Sequence, residues 1–454
     1  MNRKVMVGMD TALKSLVLGC AGIGALALTT LTPLVQAEVF NVDVSGYTLY
    51  TDPNYPERQI KLGGFSGLYP VPGDMTGTMF YTVTDRGPTQ DFVVTNFPPG
   101  VTNTYKVLPC YGMAPMIVMV QLQAGGTAQV LDIIPLRREV APGVFEPISG
   151  RANGVELSPE KLYKPDYKKL DFDPDALDPE GITMDNNGFF WICEEYRPSI
   201  AMIDATGTVL LRLVPKGCLS GTETVPTYDI LPKVITKRVN NRGMEGITFS
   251  PNGCLYAVIQ RPLANPTKDV SEASRNLRIV EVNLKAFLKG KSKNAVRQFI
   301  YRVESVGKGV YASDIYALNP AIMLVPERAT DKLYAINISP ATDITPFETE
   351  DGQLIADPTE TIEQLEAADL AALGIKTVKK AEILPSLIAL HKELAKCEGI
   401  AVVGGTIVLT YDNDFNLGDL GDGSTTPGSI GLKSPDVYPA LITTPLPEEF
   451  FFGK

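Results

Sequence analysis

Pro179-Glu180-Gly181-Ile182-Thr183 returns as Met244-Glu245-Gly246-Ile247-Thr248 and again as Cys397-Glu398-Gly399-Ile400-Ala401. Each copy opens an apolar run, and a second run follows that ends in charge. The first continues TMDNNGFFWICEEYRP, the second TFSPNGCLYAVIQRPL and the third AVVGGTIVLTYDNDF. Two looser copies exist. GGFSGLYPVPGDMTGTMFYTVTDRGP has Ser66 at the glutamate's place, and SDIYALNPAIMLVPERAT has Asp314 there. Self-similarity of this kind marks a repeat architecture.

One copy reads as a small sheet. Gly181 to Met184 is apolar and β-branched enough for a buried strand. Asp185-Asn186-Asn187-Gly188 is a turn, because Asn and Gly tolerate positive φ. Phe189 to Cys193 and Ser199 to Asp204 read as further strands. Ala205-Thr206-Gly207 turns the chain into a fourth, Thr208 to Val214. A four-stranded meander of roughly 35–40 residues is the size of one propeller blade. The expected fold is all-β: a β-propeller of four-stranded antiparallel blades, six or seven with six preferred, carrying a small helical insertion over residues 342–396. Glu360–Leu373 and Leu384–Lys396 are the expected helices.

The start of the first strand and the end of the second lie on one edge of a hairpin. Glu180 with Glu195, Glu245 with Gln260-Arg261, Glu398 with Asp412 and Asp414, Asp314 with Glu327-Arg328, and Ser66 with Asp85-Arg86 are therefore expected at one mouth of one channel. The alternative is that these are polar strand ends in solvated loops.

Residues 1–37 read as a secretory signal. Arg3, Lys4 and Lys14 precede an apolar stretch, Leu16 to Leu31, and Val35-Gln36-Ala37 offers a small-residue cleavage site. Residues 38–454 form the expected propeller domain, secreted or periplasmic and monomeric. No later segment is apolar enough to span a membrane. The formal net charge of −11 opposes nucleic-acid binding, which depends on phosphate neutralisation by Lys and Arg. Beyond the leader stand Cys110, Cys193, Cys218, Cys254 and Cys397, without metal-ligand spacing. One or two disulfides are compatible with export.

The chain has a single histidine, His391. That argues against bis-histidine haem and His-rich zinc sites. It leaves one candidate base for a Ser-His-Asp triad, and His391 is expected to be a surface or packing residue. No nucleophile elbow, P-loop or dinucleotide fingerprint occurs. The chemistry is left to carboxylates, arginines, hydroxyls and a hard cation, for which oxygen ligands select calcium or magnesium. Arg86, Arg197, Arg261 and Arg328 follow the charged ends of second strands. Each either grips phosphate or carboxylate bidentately or pairs with a neighbouring acid.

Taken in order, these phrases resemble the family described as having an esterase-like activity of phytase, a phytase-like propeller domain. The matching residues include Phe65-Ser66-Gly67-Leu68 with Asp85-Arg86-Gly87, Pro179-Glu180-Gly181-Ile182 with Phe190-Trp191 and Glu195-Tyr196, and Met244-Glu245-Gly246-Ile247 with Leu255-Tyr256. They continue through Arg278-Ile279-Val280-Glu281-Val282, Ser313-Asp314-Ile315 with Glu327-Arg328, and Glu398-Gly399-Ile400 with Asp412-Asn413-Asp414-Phe415. Arg197 and Gln260 depart from the pattern. The resemblance implies hydrolysis of phosphate or other esters.

The expected mechanism is calcium-assisted, on a small anionic or ester substrate. Glu180, Glu245, Glu398, Asp314, Asp412 and Asp85 are the expected cation ligands. Glu195 or Glu327 is the expected general base. Arg197 and Arg328 are expected to stabilise developing negative charge, and Arg86 and Arg261 to bind substrate. The alternatives are a lactonase resembling the gluconolactonase propellers and a non-catalytic binding propeller with structural calcium.

Overall fold

The computed structural model describes residues 37–95, 102–155, 160–291, 295–328, 330–418 and 426–447. The expected signal segment lies almost wholly outside them. Five four-stranded antiparallel meanders carry most of the strand residues. The first runs Phe65–Pro70, Met79–Thr84, Met116–Gln123 and Thr127–Pro135. The second runs Pro179–Met184, Phe190–Glu194, Ser199–Ile203 and Val209–Pro215, with Thr227–Leu231 added in parallel at its outer edge. The third is Met244–Phe249, Cys254–Ile259, Asn276–Asn283 and Val296–Arg302. The fourth is Tyr316–Ala317, Ile322–Glu327, Lys332–Asn337 and Lys379–Leu384.

The fifth meander uses both ends of the described chain. Cys397–Val403, Thr406–Tyr411 and Ala440–Pro445 are completed by Glu38–Asp43, with Glu38 opposite Thr443. Glu38–Asp43 also pairs in parallel with Thr127–Pro135 over three residues, so the fifth and first meanders merge into one eight-stranded sheet.

The first strands of the five meanders surround one axis. Glycine permits the approach. A Cβ on Gly67 would stand 2.8 Å from the Ile182 nitrogen, on Gly181 2.8 Å from the Ile247 nitrogen, and on Gly246 2.4 Å from Asp314 Cα. A Cβ on Gly399 would stand 2.8 Å from the carbonyl carbon of Gly67, and the Ile400 N–H donates to Asp314 Oδ2 at 2.8 Å. The circle therefore closes on itself.

Packing closes it a second time. Val83 and Ile117 of the first meander bury against Ile182 and Ile192 of the second. Trp191 and Leu213 bury against Leu255 and Val280 of the third, and Val258 and Ile279 against Met323 and Val325 of the fourth. Leu324 and Leu333 bury against Leu409 and Ile442 of the fifth, and Val408 and Leu441 against Phe65 and Phe80. Each sheet is apolar on both faces because each is sandwiched between two others. The meanders are the blades of a propeller.

Six or seven blades are expected from the sequence; the described residues supply five. The remaining length enters excursions: the hairpin of Gln90–Thr95 and Thr102–Val107, the hairpin of Arg137–Ala141 and Val144–Pro147, and residues 338–378. The helical insertion is also smaller than expected. Only Ala367–Ala372 is α-helical within it, beside the 3₁₀ turns Thr345–Phe347 and Ile362–Gln364. Lys379–Leu384 is instead the outer strand of the fourth blade, and Lys392–Lys396 is a 3₁₀ turn. Leu384 and Leu387 are buried there against the fifth blade, and Asp331 pins the chain through Ser386 Oγ and the Ile388 N–H. Tertiary packing thus overrides the helical pattern. The excursion docks on the third blade through a buried triad, Arg278 Nη1 to Glu348 Oε1 at 2.6 Å and Nε to Glu363 Oε1 at 2.7 Å.

All five described cysteines are free thiols, so the disulfides expected on export grounds do not form among the described residues. Cys193, Cys254 and Cys397 are buried core residues.

Candidate functional site

A register irregularity aims the repeated glutamates. Pro179 lies opposite Glu194 and Gly181 opposite Cys193, which leaves Glu180 unopposed. The same extra residue is Glu245, between the pairs Met244–Ile259 and Gly246–Val258, and Glu398, between Cys397–Tyr411 and Gly399–Thr410. A bulge bends its strand and redirects the extra side chain. Each Glu-Gly-Ile phrase therefore has three jobs. The glutamate turns to the mouth, the glycine touches the next blade at the axis, and the isoleucine enters the core, where Ile182, Ile247 and Ile400 are buried.

The residue just past each second strand arrives at the same mouth. Asp85, Glu195, Gln260, Arg328 and Asp412 all line one cavity of about 230 Å³, together with Glu180, Glu245 and Glu398. Asp178, Asp414, Arg86, Arg242, Lys106 and Lys396 complete its charged wall. Eight carboxylates face five cations, so the cup is acidic.

One side of the cup suits a hard cation. One carboxylate oxygen each from Asp85, Asp178 and Glu180 lie within 4.8 Å of one another. Asp178 Oδ1 is buried without a hydrogen-bond partner, while Oδ2 lies 3.3 Å from Arg86 Nη2. Burial and the neighbouring Asp178 push Asp85 well above the carboxylate range. Burial and the nearby Glu245 and Glu195 do the same to Glu180. Three clustered carboxylate oxygens, one of them without a hydrogen-bond partner, are a donor set that a calcium or magnesium ion suits.

Elsewhere in the cup acids are paired with bases. Gln260 Nε2 donates to Glu245 Oε1, and Arg328 Nη1 to Glu398 Oε1, leaving both Oε2 atoms buried and unpartnered. Burial raises Glu398 to about 7 against the pull of Arg328. Burial and the Asp178 charge raise Glu195 to about 8, with Arg242 Nη1 at 3.6 Å from Glu195 Oε1. Lys396 binds Asp412 Oδ2 at 2.9 Å and Asp414 Oδ1. Burial works against Asp414, but its hydrogen bond with Asp412 and the Lys396 ammonium hold it below the usual range. Asp414, Phe415 and Asn416 have φ of 50°, 53° and 61°, a left-handed run that costs about 1–2 kcal/mol per residue. The Phe415 ring holds it in place over Gly64, where a Cβ would stand 2.2 Å from the ring.

The family described as phytase-like, esterase-like activity of phytase, matches residues 60–415. The chain belongs to the phytase-like family. A secreted protein of Arthroderma benhamiae, itself uncharacterised, is 30% identical over 124 residues, which span 24% of each chain. The phytase-like chain thus covers about a quarter of that relative's length. Virginiamycin B lyase from Staphylococcus aureus aligns over 90% of this chain and 99% of its own at 10% identity and a TM-score of 0.32. Hydrazine synthase from Kuenenia stuttgartiensis aligns over 78% and 94% at 12% identity and a TM-score of 0.34.

Within the phytase-like cup the structure brings together Glu180, Glu245, Glu398, Asp412 and Asp85 of the expected ligands, and Glu195, Arg328 and Arg86 of the other expected residues. Four expected residues are placed elsewhere. Asp314 occupies the glycine position of its repeat, so Ser313, not Asp314, stands where three of the other blades have glutamate; the Asp314 carboxylate clips Ile315 N and Ile400 N. Glu327 lies one residue before the cup position and faces away, accepting from Tyr301 Oη at 2.6 Å and Thr330 Oγ1 at 2.9 Å. Arg197 pairs with Glu223 at 2.6 Å. Arg261 is buried, with Nη1 3.5 Å from the Lys308 carbonyl. His391 caps the 392–396 turn and stacks on Tyr411. The sequence reading missed Asp178, Arg242, Lys106 and Lys396. Only Asp178 carried a signal, as the acid immediately before Pro179-Glu180.

Proposed function

We propose that this phytase-like chain is a five-bladed, exported hydrolase of phosphate or carboxylate esters that uses calcium held by Asp85, Asp178 and Glu180. The observation that carries the reading is the orphaned, buried Asp178 Oδ1 within a triad of acids in the wall of a charged cup. Asp85, Asp178 and Glu180 would hold the ion, which would supply Lewis acidity toward an ester oxygen and a bound water. The chain's own groups supply the rest. Glu195 lines the cup with Arg242 Nη1 3.6 Å from its Oε1 and is placed to take a proton from water or pass one to a leaving oxygen. Arg328 and Arg242 face the cup with charge to offset an anion in the transition state. Gln260 fixes one oxygen of Glu245 and so keeps the other turned inward. The substrate is a small anionic or ester molecule.

The test is hydrolysis of p-nitrophenyl phosphate, p-nitrophenyl acetate and phytate by residues 38–454, with calcium and after chelation. Calcium-dependent turnover that is lost in Glu180→Gln/Glu245→Gln is expected. Absence of turnover, together with a chelator-induced fall in melting temperature, refutes catalysis and leaves a binding propeller.

A further inference from the structure

Arg197 was expected at the mouth, yet the structure turns it outward into a second cavity. This pocket, of about 150 Å³, lies on the rim where the second blade meets the third. Its walls include Arg197, Arg238, Lys216 and Lys233, and among the described residues that line it none is acidic. The two arginines are the inner wall, at 1% and 6% exposure. The lysines form the outer wall, with side chains 49% and 44% exposed.

The inner wall is built. Arg197 Nη1 donates to the Pro174 carbonyl at 3.1 Å, and Nη2 to Glu223 Oε1 at 2.6 Å and to the Cys218 carbonyl. Its Nε is buried and has no hydrogen-bond partner. Arg238 Nε donates to the Tyr196 carbonyl at 2.5 Å, and Nη1 to Asn240 Oδ1 at 3.0 Å. The guanidiniums cannot swing away to water. The outer wall is different. Lys216 reaches Glu350 at 2.5 Å and Lys233 reaches Asp351 at 2.9 Å, both acids lying outside the pocket on the 338–378 excursion. Exposed ion pairs of this kind are worth about 0–1 kcal/mol, so an anion carrying two charges competes well for both ammoniums.

We infer that this rim pocket binds a tetrahedral oxyanion, phosphate or a phosphoryl or sulfate group, at a site separate from the acidic cup. Fixed arginines and adjustable lysines around a small cavity with no carboxylate among its described lining residues are a donor set for a dianion. Hydrolysis in the cup is not required, so the inference stands or falls independently of the proposed reaction.

The experiment is calorimetric titration of residues 38–454 with inorganic phosphate, sulfate and glycerol 2-phosphate, with calcium absent. Saturable binding of phosphate is expected. It should weaken about tenfold for each lysine removed in Lys216→Ala and Lys233→Ala, with melting temperatures unchanged. Glu350→Gln/Asp351→Asn should tighten it, because the lysines are released to the ligand. Arg328→Gln/Lys396→Gln, which alters the cup, should leave it unchanged. Binding of glycerol 2-phosphate beside phosphate assigns the site to phosphoryl groups; binding of the inorganic ions alone assigns it to the free anion. No saturable binding by the unaltered chain overturns the inference. So does binding lost in the cup variant and kept in the lysine variants.

Discussion

Gly246→Ala tests the closed ring directly. The new Cβ would lie 2.4 Å from Asp314 Cα and 2.6 Å from Asp314 Oδ1. Ordinary carbon–carbon contact is about 3.5–4.0 Å, so strand and neighbour must part by about 1 Å. The obstacle is backbone, and Asp314 is tied to Ile315 N and Ile400 N, so no side-chain rotation relieves it. Overpacking costs about 1–3 kcal/mol, and this position belongs at the upper end. With a urea m-value of about 3 kcal/mol/M, a loss of 3 kcal/mol lowers the unfolding midpoint by about 1 M. Gly188→Ala is the control: its φ is +82° and nothing lies within 4 Å, so it adds only backbone strain of about 1 kcal/mol. A Gly246→Ala midpoint within about 0.2 M of the unaltered chain would refute the argument that the inner strands touch around one axis.

Three further outcomes follow from the cup and the excursion. Asp178→Asn should weaken calcium binding at least about tenfold, read as the calcium-dependent rise in melting temperature, whereas Glu327→Gln should lower stability and leave calcium affinity unchanged. Glu195 and Glu398, raised from 4.5 to about 8 and about 7, make the folded state bind more protons than the unfolded chain across that window. Stability of the chelated protein should therefore fall as pH rises from about 4.5 to 8 and be restored by calcium; a melting temperature that climbs over this range in chelator contradicts the assignment. Arg278→Met strands Glu348 and Glu363 in a dry interface and should cost about 3–5 kcal/mol by urea unfolding, with much of it regained when both acids are also made apolar.

The blades were legible because hydrophobic runs and Asn/Gly turns repeat in register, as the meander from Pro179 to Pro215 shows. The mouth was legible because a hairpin returns its second strand to the start of its first, which brought Asp85, Glu195, Arg328 and Asp412 beside the repeated glutamates. Asp314 was misread by one place. Sequence alone does not show that its blade has no glycine and that aspartate fills the axial position, and a slip of one residue reverses a strand's faces. Glu327 fell to the same alternation. Asp178, Arg242 and Lys396 reach the cup from connecting segments, whose paths no periodicity reports. The helix expected at Leu384–Lys396 had the right pattern, but a sheet edge and the fifth blade offered its leucines a better burial.

The pairing of Glu38 with Thr443 gives synthesis a direction. Four blades can form as the chain emerges, because their strands are consecutive. The fifth cannot close until Ala440–Pro445 has been made and has met a strand laid down at the outset, so the slowest contact to form is also the last to become available. A product that stops short of residue 440 leaves Glu38–Asp43 without its antiparallel partner and the apolar faces around Phe40 and Leu409 open.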